Sequence, residues 1–121
     1  VVLIVHDDVS VAEALAIALE SIGATPVQVH RTSDARLVVQ GAPALAAVMS
    51  RCSLDLANDP PLLSWVANER PEIALIALCS TPGHAHDHLP AWCQMLRPPF
   101  DGLDLKRALA EARLAAFESQ A

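Results

Sequence analysis

Residues 1–5, Val-Val-Leu-Ile-Val, are uninterruptedly apolar and β-branched at all but one position, and they break off into His6-Asp7-Asp8. So short a run, with no polar alternation, reads as a strand covered on both faces, the signature of the interior of a parallel sheet. A chain that starts this way must supply helices to two faces, because parallel neighbours are joined by crossovers that lie across the sheet. The acids that end the run fall where open parallel sheets gather ligands, outside the carboxyl ends of the strands. Ser10 and Glu13 then form a capping-box pattern with Ser10 as the expected N-cap.

The remaining chain repeats the alternation. Val11, Leu15, Ala18, Leu19 and Ile22 recur at helical spacing, and Gly23 follows as the C′ residue. Thr25–Val29 reads as a short strand with Pro26 near its start. Thr32 or Ser33 is placed to cap a helix over Asp34–Gln40, closed by Gly41. Ala44–Ser50 is a small-apolar run, again a buried strand. Asp59-Pro60-Pro61 opens a third helix with Leu62, Leu63, Val66 and Ala67 on its inner side and Pro71 as its stop. Ile73–Leu78 is a fourth buried strand. Residues 80–90 are polar and irregular, with a short helix expected over Ala85–Trp92, and Gln94–Leu96 is a fifth strand. Asp101 is placed to cap a last helix whose core face is Leu105, Ala108, Leu109, Ala112 and Ala116. This predicts an α/β fold: a doubly wound, five-stranded parallel sheet in the flavodoxin-like order 2-1-3-4-5, with helices on both faces in three layers.

A chain of 121 residues makes one domain with a single substantial core. No apolar run approaches the ~20 residues of a membrane span, and the start lacks the basic leader and cleavage site of a signal peptide. Opening inside its own sheet suggests a domain cut from something longer. The net charge of −6, with only eight Lys and Arg, leaves no basic stripe for a phosphate backbone, which argues against direct nucleic-acid binding. Cys52, Cys79 and Cys93 are odd in number and lack metal-type spacing, so the expected compartment is a reducing cytoplasm.

Leu3-Ile4-Val5-His6-Asp7-Asp8, the helix ending Leu19-Glu20-Ser21-Ile22-Gly23, the stretch Pro71–Leu78, and Arg97-Pro98-Pro99-Phe100 stand in a fixed order. In that order and spacing they resemble a response-regulator receiver domain of the CheY-like type, over nearly the whole chain. The resemblance implies acids after the first strand that hold Mg²⁺ and an Asp after the third strand that is phosphorylated. It further implies a Thr or Ser after the fourth strand and a Lys before a Pro-Phe step, both sensing the phosphoryl group. Carried over residue by residue, Asp7 takes the main metal-ligand position, His6 the position of the other acid, and Asp8 the one that follows. Ser50 aligns best with the phosphoacceptor, within the range Met49–Arg51, and none of these is a carboxylate. Cys79, with Ser80 beside it, takes the switch position. Pro98 replaces the Lys, leaving Arg97 as the adjacent cation. The resemblance is therefore to a degenerate, or pseudo-, receiver.

Two carboxylates remain that could hold Mg²⁺, Asp7 and Asp8, but a hard cation takes several oxygen ligands, and neutral imidazole at His6 is a poor one. Cofactor-free function is expected, with at most weak Mg²⁺ binding. His84, His86 and His88 alternate around Asp87 and would share one face of an extended segment, a donor set for Zn²⁺ or Ni²⁺, against which stands a plain solvated loop. A Cys79 nucleophile paired with His84 or His6 lacks accompanying oxyanion-hole glycines. Ser50-Arg51 could form an activated serine with an anion clamp, or a small polar filler of the acceptor's space. Trp65 is expected half-buried on the third helix.

The leading reading is a non-enzymatic regulatory module of a two-component phosphorelay. It would act by protein–protein contact with a histidine kinase, an output domain or a second copy, and would not itself be phosphorylated. Its contact surface is placed at Trp92, Arg97, Lys106 and Arg107, where basic residues gather on an otherwise acidic domain. One alternative is a phosphorylatable receiver using Asp55 with Mg²⁺ at Asp7 and Asp8. Another is a small-ligand or metal-binding α/β domain.

Overall fold

The structure, a computed structural model, describes residues 1–6, 8–51, 62–78, 93–96 and 102–119. In chain order the elements are β1 (Val2–Val5), α1 (Val9–Ser21), β2 (Pro26–Val29), α2 (Thr32–Gly41) and β3 (Ala47–Arg51). They continue with α3 (Leu62–Glu69), β4 (Ala74–Leu78), β5 (Gln94–Leu96) and α4 (Gly102–Ser119). All strand pairings are parallel and the sheet order is β2-β1-β3-β4-β5, the doubly wound arrangement expected from the alternation.

The apolar runs are explained by their two destinations. Val2 and Ile4 of β1, Ala47 and Met49 of β3, and Ala74, Ile76 and Leu78 of β4 face one way. There they meet Leu15 and Leu19 of α1 and Leu105, Ala108 and Ala112 of α4. Leu3, Val5, Val48, Leu75 and Ala77 face the other way, against Ala35 and Val39 of α2 and Leu62, Leu63 and Val66 of α3. The period-two alternation of side chains thus fills two cores from one strand, and no face of β1, β3 or β4 is left for water.

Helix ends follow local chemistry. Gly23 adopts φ +88°, its N–H donates to Glu20 O at 3.1 Å, and the Ala24 N–H donates to Leu19 O at 2.9 Å. This is the Schellman ending, and only glycine enters its left-handed step without a Cβ penalty. At the other end of α1 the expectation fails: the N-cap is Asp8, not Ser10. Asp8 Oδ1 accepts from the Ser10 N–H at 2.9 Å and the Val11 N–H at 3.4 Å. Since β1 ends at Val5, the chain turns into the helix almost at once, and Ser10 already lies in the first turn. In α2 neither Thr32 nor Ser33 is the cap; the helix starts at Thr32, and Arg31 occupies the cap position without a side-chain cap hydrogen bond. The strands β2, β3 and β4 start one to three residues later than the apolar runs suggest, at Pro26, Ala47 and Ala74, because those runs begin in the approach to the sheet. β5 spans Gln94–Leu96 as expected. The proposed caps Asp59 and Asp101, and the expected helix over Ala85–Trp92, lie outside the described residues.

One side chain ties the amino edge together. The Arg70 guanidinium donates through Nη1 to Val39 O at 3.0 Å and Ala42 O at 2.7 Å, and through Nη2 to Pro43 O at 3.4 Å. It satisfies carbonyls at the end of α2 that the helix leaves without partners, with a cation placed where the helix dipole favours one. Glu72 accepts from Arg70 Nε at 2.8 Å and holds the fork in place. That hydrogen bond lowers the Glu72 carboxyl pKa below its ordinary value near 4.5.

Arg70→Ala is expected to lower stability by about 1–3 kcal/mol in denaturant melts, since it strands helix-terminal carbonyls. Arg70→Lys should recover only part of this, because an ammonium cannot fork across several carbonyls. Glu72→Gln should cost less than about 1 kcal/mol at neutral pH, as expected for a half-exposed pair. With the folded-state pKa depressed, this contribution is complete above about 4.5 and fades as pH falls through the lower folded value, so wild type and variant should converge in acid.

Candidate functional site

Parallel strands bring their carboxyl ends to one edge, and the register fixes which residues share it. Val5 of β1 lies beside Ser50 of β3 and Val29 of β2, and Ser50 lies beside Ala77 of β4. The carboxyl ends of β1, β3 and β4 therefore lie side by side, and the described residues that follow β1 and β2 emerge at this edge. This is the edge at which the sequence places His6, Asp7, Asp8, Ser50 and Cys79.

Ser50 is fully buried, at 0% exposure, and His6 nearly so, at 8%. His6 continues the ladder: its N–H donates to Val29 O at 3.2 Å. Its ring Nδ1 accepts the Asp8 N–H at 3.0 Å, which assigns the Nδ1 lone pair to the backbone of the turn into α1. Asp8, exposed at the start of α1, commits its Oδ1 to the cap described above.

A further histidine joins the edge. His30 follows β2 directly, and its ring Nδ1 lies 2.9 Å from His6 O. A carbonyl only accepts, so this ring nitrogen carries the proton and donates. The sequence reading did not single out His30. The signal was its place after β2: the pairing of Val5 with Val29 makes His6 and His30 successive neighbours at the strand ends.

The described residues thus arrange a carboxyl edge tied by local hydrogen bonds. A hard divalent cation favours several oxygen donors. Here the described side chains offer an imidazole whose Nδ1 already accepts an amide, a carboxylate that caps a helix, and a buried neutral hydroxyl. Among the described residues, no three His, Cys, Asp or Glu side chains come together as metal ligands. Asp7, Asp55, Cys79, His84, His86, His88, Trp92, Arg97 and Pro98 lie outside the described residues. β3 is described as Ala47–Arg51, and the residues between it and Asp55 lie outside the described residues.

Of the contact surface read from sequence, Lys106 and Arg107 are exposed on α4. Trp65 is half-buried on α3 as expected, with the Arg36 guanidinium 5.4 Å from its ring centroid. No helix among the described residues is long and apolar enough to cross a membrane.

No family model and no curated protein sequence matches the chain. Solved structures do. A response regulator receiver protein from Sinorhizobium medicae WSM419 superposes with a TM-score of 0.81 at 13% identity, covering 95% of this chain and 94% of that one. The signal receiver domain of an HD domain-containing protein from Pseudomonas fluorescens Pf-5 gives a TM-score of 0.79 at 20% identity, covering 97% and 96%. The chemotaxis response regulator CheY4 of Vibrio cholerae gives 0.76 at 16%, covering 92% and 96%. The chain has the fold of response-regulator receiver domains.

Asp8→Ala is expected to cost about 1 kcal/mol of stability, measured in urea, while Asp8→Asn or Asp8→Ser should stay within a few tenths of wild type. If Asp8→Ala proves neutral, the carboxylate has a role other than capping α1.

Proposed function

We propose that the chain is a receiver-like regulatory module of a two-component phosphorelay protein, non-enzymatic and cytoplasmic, acting by protein–protein contact without accepting a phosphoryl group. The observation that supports this reading is the end of β3, Met49-Ser50-Arg51, which carries no carboxylate: Ser50, aligned best with the acceptor by the resemblance, is a fully buried hydroxyl beside the end of β1. A serine there has a far weaker nucleophile than a carboxylate, and catalysis would need a neighbouring base and a cation for the developing charge. His6, the nearest described imidazole in the register, is engaged through Nδ1 with the Asp8 amide. Partners of the class are a histidine kinase, an output domain or a second copy, and no cofactor is required.

The test is incubation with radiolabelled acetyl phosphate and Mg²⁺, and separately with a phosphorylated histidine kinase. No base-labile, hydroxylamine-sensitive label is expected on the wild type. Label abolished by Asp55→Asn would overturn the proposal in favour of a working receiver with Asp55 as acceptor. Calorimetric titration with Mg²⁺ should show binding weaker than about 1 mM, the range of the loosest calcium modules. Tight binding lost in Asp7→Asn would place a metal centre at this edge and contradict the cofactor-free reading.

A further inference from the structure

α4 carries more apolar surface than its core requires. Leu105, Ala108, Ala112 and Ala116 are buried against the sheet. A second set, Leu103, Arg107, Ala110, Leu114 and Phe117, recurs at intervals of four, three, four and three residues. Every member is exposed, and the large ones heavily so: Leu103 64%, Leu114 58% and Phe117 73%. Intervals of four and three are the seam of a two-stranded coiled coil. With Leu103, Ala110 and Phe117 at d positions and Arg107 and Leu114 at a, the flanking positions sort by charge. The g positions are Lys106 and Arg113, both basic, and the e positions are Asp104 and Glu111, both acidic.

That sorting specifies the occupant. In a parallel pair, each g residue meets the e residue five positions on in the partner, so Lys106 faces Glu111 of a second copy, twice by symmetry. In an antiparallel pair, g faces g and e faces e, which sets Lys106 and Arg113 against like charge. Lys106, Arg107, Glu111 and Arg113 are all exposed. A single long cation at an a position favours two strands over larger assemblies, and its stem can cover the seam while its head reaches water.

We infer that α4 is the interface of a parallel homodimer, in which the exposed Leu103–Phe117 stripes of two copies pack together and Lys106 pairs with Glu111 across the seam. This names the partner within the contact-module reading and rests on it, but uses none of its phosphorylation argument. A pair of helices of this length buries less than a standard interface, so association is reversible and in the micromolar-to-millimolar range, about 1 µM to 1 mM.

Sedimentation equilibrium of the 121-residue chain should show mass rising from 12.8 kDa toward twice that value with concentration. Leu114→Glu should leave a folded monomer, with its circular dichroism unchanged and its melting equal to that of the wild type at concentrations where the wild type is itself monomeric, because the side chain is exposed. Lys106→Glu and Glu111→Lys should each weaken the dimer about tenfold, since each places two like-charged pairs in the interface. Mixing the two variants should restore wild-type association as a heterodimer. A wild type monomeric throughout this range, or a dimer indifferent to Leu114→Glu, would overturn the inference. Tighter association of Lys106→Glu would overturn the parallel arrangement, since it would relieve like-charge contact only in the antiparallel one. Running the series with and without acetyl phosphate separates the two proposals. A dimer that also takes label refutes only the unphosphorylated reading, and an unlabelled monomer refutes only the dimer.

Discussion

The constraint on which the rest depends is that β1, β3 and β4 have no wet face. Each sends alternate side chains into two separate cores, one under α1 and α4 and one under α2 and α3. Backbone groups in so dry a layer are satisfied by the parallel ladder, so the chain can change direction only at the two edges. Everything polar that must also be fixed in space is driven to those edges: Arg70 at the amino edge, and His6, Asp8, His30 and Ser50 at the carboxyl edge. The same burial that makes the fold legible confines any chemistry to a few residues after each strand.

The carboxyl edge shows what becomes of such a position when its donors are recruited to hold the backbone. Asp8 caps α1, the His6 ring takes the Asp8 amide, and His30 donates to the His6 carbonyl. These bonds form one relay from the end of β2 through the end of β1 into the first turn of α1. The two imidazole bonds satisfy part-buried groups, where an unmade hydrogen bond costs more than a made one contributes, and the Asp8 bonds cap exposed N–H groups of the first turn. A ligand site needs the opposite condition, donors held in place but left for the ligand. On the proposed reading, the edge has exchanged the second condition for the first.

Much of this was readable from residues. Two-faced apolar runs fixed the sheet, and Gly23 fixed the end of α1, because both rest on requirements few residues satisfy. The caps were harder. Ser10 with Glu13 is as good a capping box on paper as Asp8 followed by an apolar helix, and the choice depends on where β1 stops, at Val5, which local pattern does not say. Thr32 fails as a cap for a similar reason: α2 begins one residue earlier than a cap at Thr32 would place it. His30 was invisible because its role arises only from the β1–β2 register. Arg70 was invisible because it joins carbonyls 27 to 31 residues away. The α4 stripe escaped because apolar residues lie around most of that helix. Two overlapping periodicities blur into one another until burial separates the residues the sheet covers from those it leaves in water.

An inert edge and a constitutive face imply each other. A receiver that switches needs a ligand whose binding free energy differs between two conformations, and the phosphoryl group on its acceptor supplies that difference. Without differential binding, no population shifts, however the surface is shaped, and a contact face on such a domain is always presented. The remaining control is mass action: a weak self-association of α4 responds to local concentration, which tethering or clustering can raise a thousandfold without any new contact. On this view the exposed Leu103, Leu114 and Phe117 are kept soluble by the charges beside them. The alternation of Lys106 and Arg113 with Asp104 and Glu111 also tells one orientation of a second copy from the other. The specificity then resides in the repulsion that disfavours the antiparallel pair as much as in the attraction that favours the parallel one.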